Sequence, residues 1–136
     1  MKPAFIRFSE PFPLENGQIL PELEITYHIS GDLENNTKQV VWIIHALTAN
    51  SNAADWWNGL VGEGSLLNPD EYLLICANNL GSCYGTTGPL SINPETGEPF
   101  YHDFPFISTR DMVQAHEKLR IALGIETIDL VIGGSQ

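Results

Sequence analysis

At 136 residues the chain fits one small domain and leaves no room for two separate cores. Its 17 acidic against 6 basic residues give a formal net charge of −11, which repels phosphate backbones and anionic membrane surfaces, so neither nucleic acid nor membrane is expected as a partner. An apolar fraction of 43% supplies a packed interior and excludes a disordered chain.

The opening MKPAFIRFSEPFPLENG holds no apolar stretch of signal-peptide length, and no later segment approaches the ~18 apolar residues of a membrane span, so a cytoplasmic protein is expected. After this proline-punctuated start, apolar and polar residues alternate from Leu23 through Ile29, the period of a half-buried strand. GDLENNTK reads as a turn. The unbroken apolar run Val40 to Ile44 then reads as a strand covered on both faces.

Ala53 to Leu60 can form a short helix, limited by Gly59, Gly62 and Gly64. Tyr72 to Ala77 follows the turn signal NPDE as a second buried strand, and Cys76 inside it reads as core packing. With Cys83 it makes only two cysteines, too few for a disulfide framework and without zinc-site spacing, so both are expected as reduced thiols.

From Asn78 to Pro105 the chain is rich in Gly, Pro, Asn and Ser; a loop of that length in a small domain is usually functional or disordered. STRDMVQAHEKLRIALGI then carries apolar residues at helical spacing. Ser108 or Thr109 is the candidate cap, Asp111 complements the helix dipole and Gly124 ends the helix. Ile128 to Ile132 closes the pattern as a third buried strand. Buried strands separated by crossovers, one of them helical, specify an α/β fold with a mostly parallel sheet.

Two stretches carry candidate chemistry. Gly133, Gly134 and Ser135 follow the last strand as the first three positions of a G-x-S-x-G turn, which lifts a serine onto a sharp strand-to-helix corner; Gln136 takes the fourth. HALTAN, His45 to Asn50, follows the earlier buried strand, where this fold class places a loop contributing to an oxyanion hole. His45 at the strand end suits a scaffold role there. His28, His102 and His116 read as surface or core histidines. Asp103, adjacent to His102 in sequence, is poorly oriented for a relay, and the four histidines show no metal-ligand spacing.

HALTAN after VVWII, the string NNLGSCYGTTGPLSINPETGEPFYHDFP, the helix opening TRDMVQAHEKL and the ending LVIGGSQ together resemble the homoserine O-acetyltransferase family of the α/β-hydrolase superfamily. The resemblance runs from about Glu24 to Gln136, and the long loop is its most specific part. It implies that Ser135 is a nucleophile that takes an acetyl group from acetyl-CoA, a co-substrate and not a bound cofactor. The hydroxyl of L-homoserine then accepts the acetyl group, a step of methionine biosynthesis. The backbone N–H groups of Leu47 and Gln136 are implied as the oxyanion hole.

The same resemblance makes residues 1–136 the N-terminal part of a single α/β-hydrolase domain, truncated after the strand that bears the nucleophile. In the family's chain order the acid and histidine come after the serine, so the isolated chain is expected to be inert. An esterase of the same fold and a non-catalytic α/β fragment serving as an interaction module are the alternatives. An uncovered last strand also predicts homo-oligomerisation, or association with the remainder of the chain.

Overall fold

The computed structural model describes residues 1–135. In chain order it contains β1 (Lys2–Phe8), β2 (Phe12–Pro13), β3 (Ile19–Leu20), β4 (Leu23–Ile29), β5 (Gln39–Ile44), α1 (Ala53–Trp56), β6 (Tyr72–Ala77), a 3₁₀ turn at Tyr101–Asp103, α2 (Thr109–Ala122) and β7 (Leu130–Gly133). Five strands form one sheet in the order β1-β4-β6-β5-β7, and β2 and β3 form a small separate ribbon.

The three-strand core of the sheet is parallel. β5 lies between β6 and β7 in parallel register, Trp42 opposite Ile75 on one side and Val131 on the other. β4 and β1 extend the sheet antiparallel beyond β6. The parallel core expected from the sequence is therefore present, and the antiparallel strands β4 and β1 extend it on one side into a mixed sheet.

The alternation of side chains along β5 explains its unbroken apolar run. Val40 and Trp42 join the cluster that contains Leu73, Ile75, Ala115 and Leu119, under α2. Val41 and Ile43 join Leu74, Cys76, Ala53, Val61 and Leu67 on the opposite face. Each face has its own apolar cover, so after Gln39 at its exposed start no position on the strand is left for a polar residue.

α2 begins where the sequence places it. Ser108 Oγ accepts from the Asp111 N–H, and Asp111 in turn accepts from the Ser108 N–H, closing a capping box. Asp111 also accepts the Glu15 N–H at 2.8 Å, which ties the helix start to the N-terminal segment.

Several expectations change. α1 is a single turn, Ala53–Trp56, not a helix to Leu60. β7 is shorter than Ile128 to Ile132 suggested, and it is not buried: Leu130 is 45% and Val131 60% exposed, because β5 is its only partner among the described strands. β1 was not visible in the sequence. As an edge strand it faces the core only through Ala4, Ile6 and Phe8, and it tolerates Pro3.

The long loop after β6 is ordered by β4. The hydroxyls of Thr86 and Thr87 accept the N–H groups of Thr26 and Glu24, at 3.0 and 2.8 Å. Gly85 lies so close to β4, at φ +95°, that a Cβ there would sit 2.5 Å from Thr26 Oγ1. This contact fixes the first glycine of the GTTG string.

Candidate functional site

The chain passes from β5 to β6 on one side and then returns past β5 to β7 on the other. This reversal of direction opens a crevice at the carboxyl ends of β5 and β7, the place where open α/β sheets bind their ligands. The two chemically suggestive stretches of the sequence both end there, one on each strand.

From β7 the chain enters Gly133, Gly134 and Ser135. A Cβ at Gly133 would lie 2.8 Å from both Cβ and O of Ile44, so only glycine lets β7 approach β5 at this point. Ser135 then adopts φ +60°, a left-handed conformation that costs a non-glycine residue on the order of 1 kcal/mol and concentrates at functional sites. Its side chain is exposed. Gln136 lies outside the described residues.

From β5 the chain enters the loop His45 to Ser51. The Leu47 N–H reaches the Ser135 carbonyl oxygen at 3.1 Å, so the loop and the serine stand side by side. His45 is buried and both of its ring nitrogens are engaged. Nε2 accepts the Asn79 N–H at 3.0 Å, which leaves the proton on Nδ1 to donate to the Ala46 carbonyl at 2.8 Å. Burial holds its pKa below the ordinary histidine value. These bonds give His45 a scaffold role and leave no nitrogen to activate Ser135.

The other histidines stand apart. His116 on α2 is buried against Trp42, whose Nε1–H donates to its Nδ1 at 3.2 Å. His28 on β4 is half-buried and lies 2.8 Å from Ser51 Oγ through Nδ1. His102 is exposed on the 3₁₀ turn. Among the described residues, no three His, Cys, Asp or Glu side chains gather as a metal site. Burial raises the Cys76 thiol to about 12, so it is an inert core residue, while Cys83 is exposed.

A pocket of about 300 Å³ opens beside Leu47, with Leu80, Ile107 and Met112 giving it an apolar wall and Ser82, Cys83 and Tyr84 a more polar one. Ser82 Oγ is buried and has no hydrogen-bond partner among the described residues. Ser51, Asn78 and Asn79 carry no motif that marks them in the sequence. The pair Asn78-Asn79 directly after a buried strand was the available signal, since two carboxamides at a strand end need partners.

An α/β sheet carrying a serine on a strained turn at its topological switch point, beside a loop that offers a backbone N–H, defines the class of serine-bearing α/β-fold proteins. The chain belongs to the alpha/beta hydrolase fold family, whose family model matches residues 39–136. A homoserine O-acetyltransferase from Cyclobacterium marinum is 50% identical over 126 residues, covering 93% of this chain and 36% of that protein. The chain thus spans little more than a third of the length of this curated relative.

Among solved structures, a homoserine O-acetyltransferase from Bacillus anthracis matches with a TM-score of 0.84 at 29% identity, over 97% of this chain and 39% of that one. Esterase E22 matches with a TM-score of 0.86 at 27% identity, over 98% and 40%. No helix among the described residues is long and apolar enough to cross a membrane.

Proposed function

We propose that the whole protein is a homoserine O-acetyltransferase and that Ser135 is its nucleophile. The observation that carries this reading is Ser135 at φ +60° beside the Leu47 N–H. The 50% identity to a homoserine O-acetyltransferase supports the choice of reaction.

In the proposed reaction a base takes the Ser135 hydroxyl proton as Oγ attacks the thioester carbonyl of acetyl-CoA. The tetrahedral oxyanion collapses with loss of the CoA thiolate, which is protonated to the free thiol. The L-homoserine hydroxyl then attacks the acetyl-serine ester, gives up its proton and frees Ser135 Oγ–H again, with O-acetylhomoserine as product. The Leu47 and Gln136 backbone N–H groups are the proposed oxyanion donors. Leu47 now faces the Ser135 carbonyl, so receiving a substrate oxyanion requires it to exchange that bond.

The base cannot be His45, whose nitrogens are both occupied. In the order serine, acid, histidine, the triad partners follow Ser135 in sequence, and we assign them to the part of the relatives' length that this chain does not span. Residues 1–136 alone are accordingly proposed to be inert. The proposal includes acetyl-CoA as a diffusible co-substrate, no bound cofactor, a cytoplasmic location, and burial of the exposed face of β7 by a second copy or by the remainder of the chain.

The match to esterase E22 favours a second reading, in which water accepts the acyl group. The two separate in one assay. The whole protein, given acetyl-CoA with and without L-homoserine, yields O-acetylhomoserine and a homoserine-dependent release of CoA under the first reading. Acetate release indifferent to homoserine supports the second, and no turnover of either kind, with no labelling of Ser135, supports a non-catalytic module.

A further inference from the structure

The side chain of Leu47 is 73% exposed, so packing does not fix the backbone N–H that stands beside Ser135. Besides its own bond to the Ser135 carbonyl, what fixes it is a set of hydrogen bonds at the two ends of its loop. At the near end, His45 is held by the Asn79 N–H. At the far end, Ser51 N–H donates to Asn78 Oδ1 at 2.8 Å, and Asn78 Nδ2 donates to Ser51 Oγ at 2.9 Å. Between them the Ala49 N–H closes a tight turn onto the Ala46 carbonyl at 2.9 Å.

Asn78 is 2% and Ser51 1% exposed, and the carboxamide is fully used. Its second Nδ2–H donates to the Tyr84 carbonyl at 2.9 Å, and its backbone N–H donates to the Thr26 carbonyl at 2.9 Å. The partners dictate its orientation, since an N–H of Ser51 needs an acceptor and a carbonyl of Tyr84 needs a donor. Ser51 Oγ, having accepted from Asn78, also shares a hydrogen bond of 2.8 Å with His28 Nδ1. One buried network therefore joins β4, the end of β6, the long loop and the loop that carries Leu47.

Building on the reading of Ser135 and Leu47 given above, we propose that Asn78 and Ser51 are positioning residues that hold the Leu47 loop beside Ser135, so that its N–H, on leaving the Ser135 carbonyl, meets the oxyanion that forms on a Ser135-bound acyl group. They touch no substrate. They act through the loop, so loosening them weakens stabilisation of the transition state more than binding of the ground state.

The test uses the whole protein, an activated acetate ester as acyl donor, and the variants Asn78→Asp and Ser51→Ala. Asn78→Asp keeps the shape but sets a carboxylate oxygen against the Tyr84 carbonyl. Ser51→Ala keeps the backbone bond to Asn78 and removes only the hydroxyl. Asn78→Asp is expected to lower kcat for Ser135 acylation about tenfold, less than the ~10²–10³ lost when an oxyanion donor is removed outright. Ser51→Ala is expected to lower it about threefold, with KM within about twofold of the parent in both variants.

A boronic acid that adds to Ser135 as a tetrahedral analogue should lose affinity by the same factor as kcat, which a purely structural role would not produce. If Asn78→Asp does not fold, Ser51→Ala with the boronic acid decides alone. Unchanged kcat and boronate affinity overturn the positioning role, as does a loss confined to KM. Turnover that survives Ser135→Ala overturns instead the nucleophile reading beneath it.

Discussion

The backbone N–H of Leu47 donates to the carbonyl oxygen of Ser135 across 3.1 Å, joining the loop after β5 to the turn after β7. In the proposed reaction Leu47 acts through its peptide N–H and not through its exposed side chain. Leu47→Ala is therefore expected to leave acyl transfer by the whole protein within about threefold of the parent. Leu47→Pro, which has no N–H, should lower kcat by ~10²–10³. Steady-state kinetics on both variants checks this, and equal losses in the two would contradict a role for the N–H.

Burial of His116 against Trp42 makes stability depend on pH. Burial first, and the neighbouring His45 second, push the His116 ring from its ordinary 6.5 down to about 4. Below 6.5 the unfolded chain takes up a proton that the folded chain refuses until about pH 4. Stability is thus fully present above about 6.5 and falls as the pH drops toward 4, by about 1.4 kcal/mol per pH unit for one such group. His45 and His28, also lowered by burial, add in the same direction. Urea denaturation at about pH 7 and about pH 5 should show the loss, and His116→Gln, which keeps an acceptor for Trp42, should reduce it.

Gly133 is required by contact, since a Cβ there meets the Ile44 side chain and carbonyl at 2.8 Å. Gly133→Ala should force β7 away from β5 and destabilise the fold by about 1–3 kcal/mol. The shift in denaturation midpoint measures it. A midpoint equal to that of the parent would show that the two strands do not approach so closely.

Asp111 serves three donors, the N–H of Glu15 and both the N–H and the hydroxyl of Ser108. Ser108→Ala should cost about 1 kcal/mol, the usual value of a helix cap. Asp111→Ala should cost about 2 kcal/mol, because it also leaves the Glu15 N–H without its acceptor. Thermal or chemical denaturation ranks the two variants, and a smaller loss for Asp111→Ala would contradict the link to the N-terminal segment.

The sequence shows clearly those elements whose two faces are both apolar or strictly alternating. β4 and β6 run from Leu23 to Ile29 and from Tyr72 to Ala77 as their patterns require. α2 begins at Ser108 because capping is a local bond between residues three apart. β1 stayed hidden since an edge strand with half its residues in solvent carries a weak pattern, and β7 looked buried because an apolar run does not say whether a neighbour covers it. Ser135 and His45 were visible through their places at strand ends. The Asn78–Ser51 pair was not, because it joins residues 27 apart in sequence through side-chain bonds that no periodicity announces.

The most direct test of the account is to trap the acyl-enzyme. The whole protein is mixed with acetyl-CoA in the absence of L-homoserine, quenched in acid and analysed by peptide mass mapping. One acetyl group is expected on Ser135, discharged when L-homoserine is added before the quench and absent in Ser135→Ala. Turnover of acetyl-CoA that persists in Ser135→Ala, or an acetyl group that resides on another residue, would contradict it.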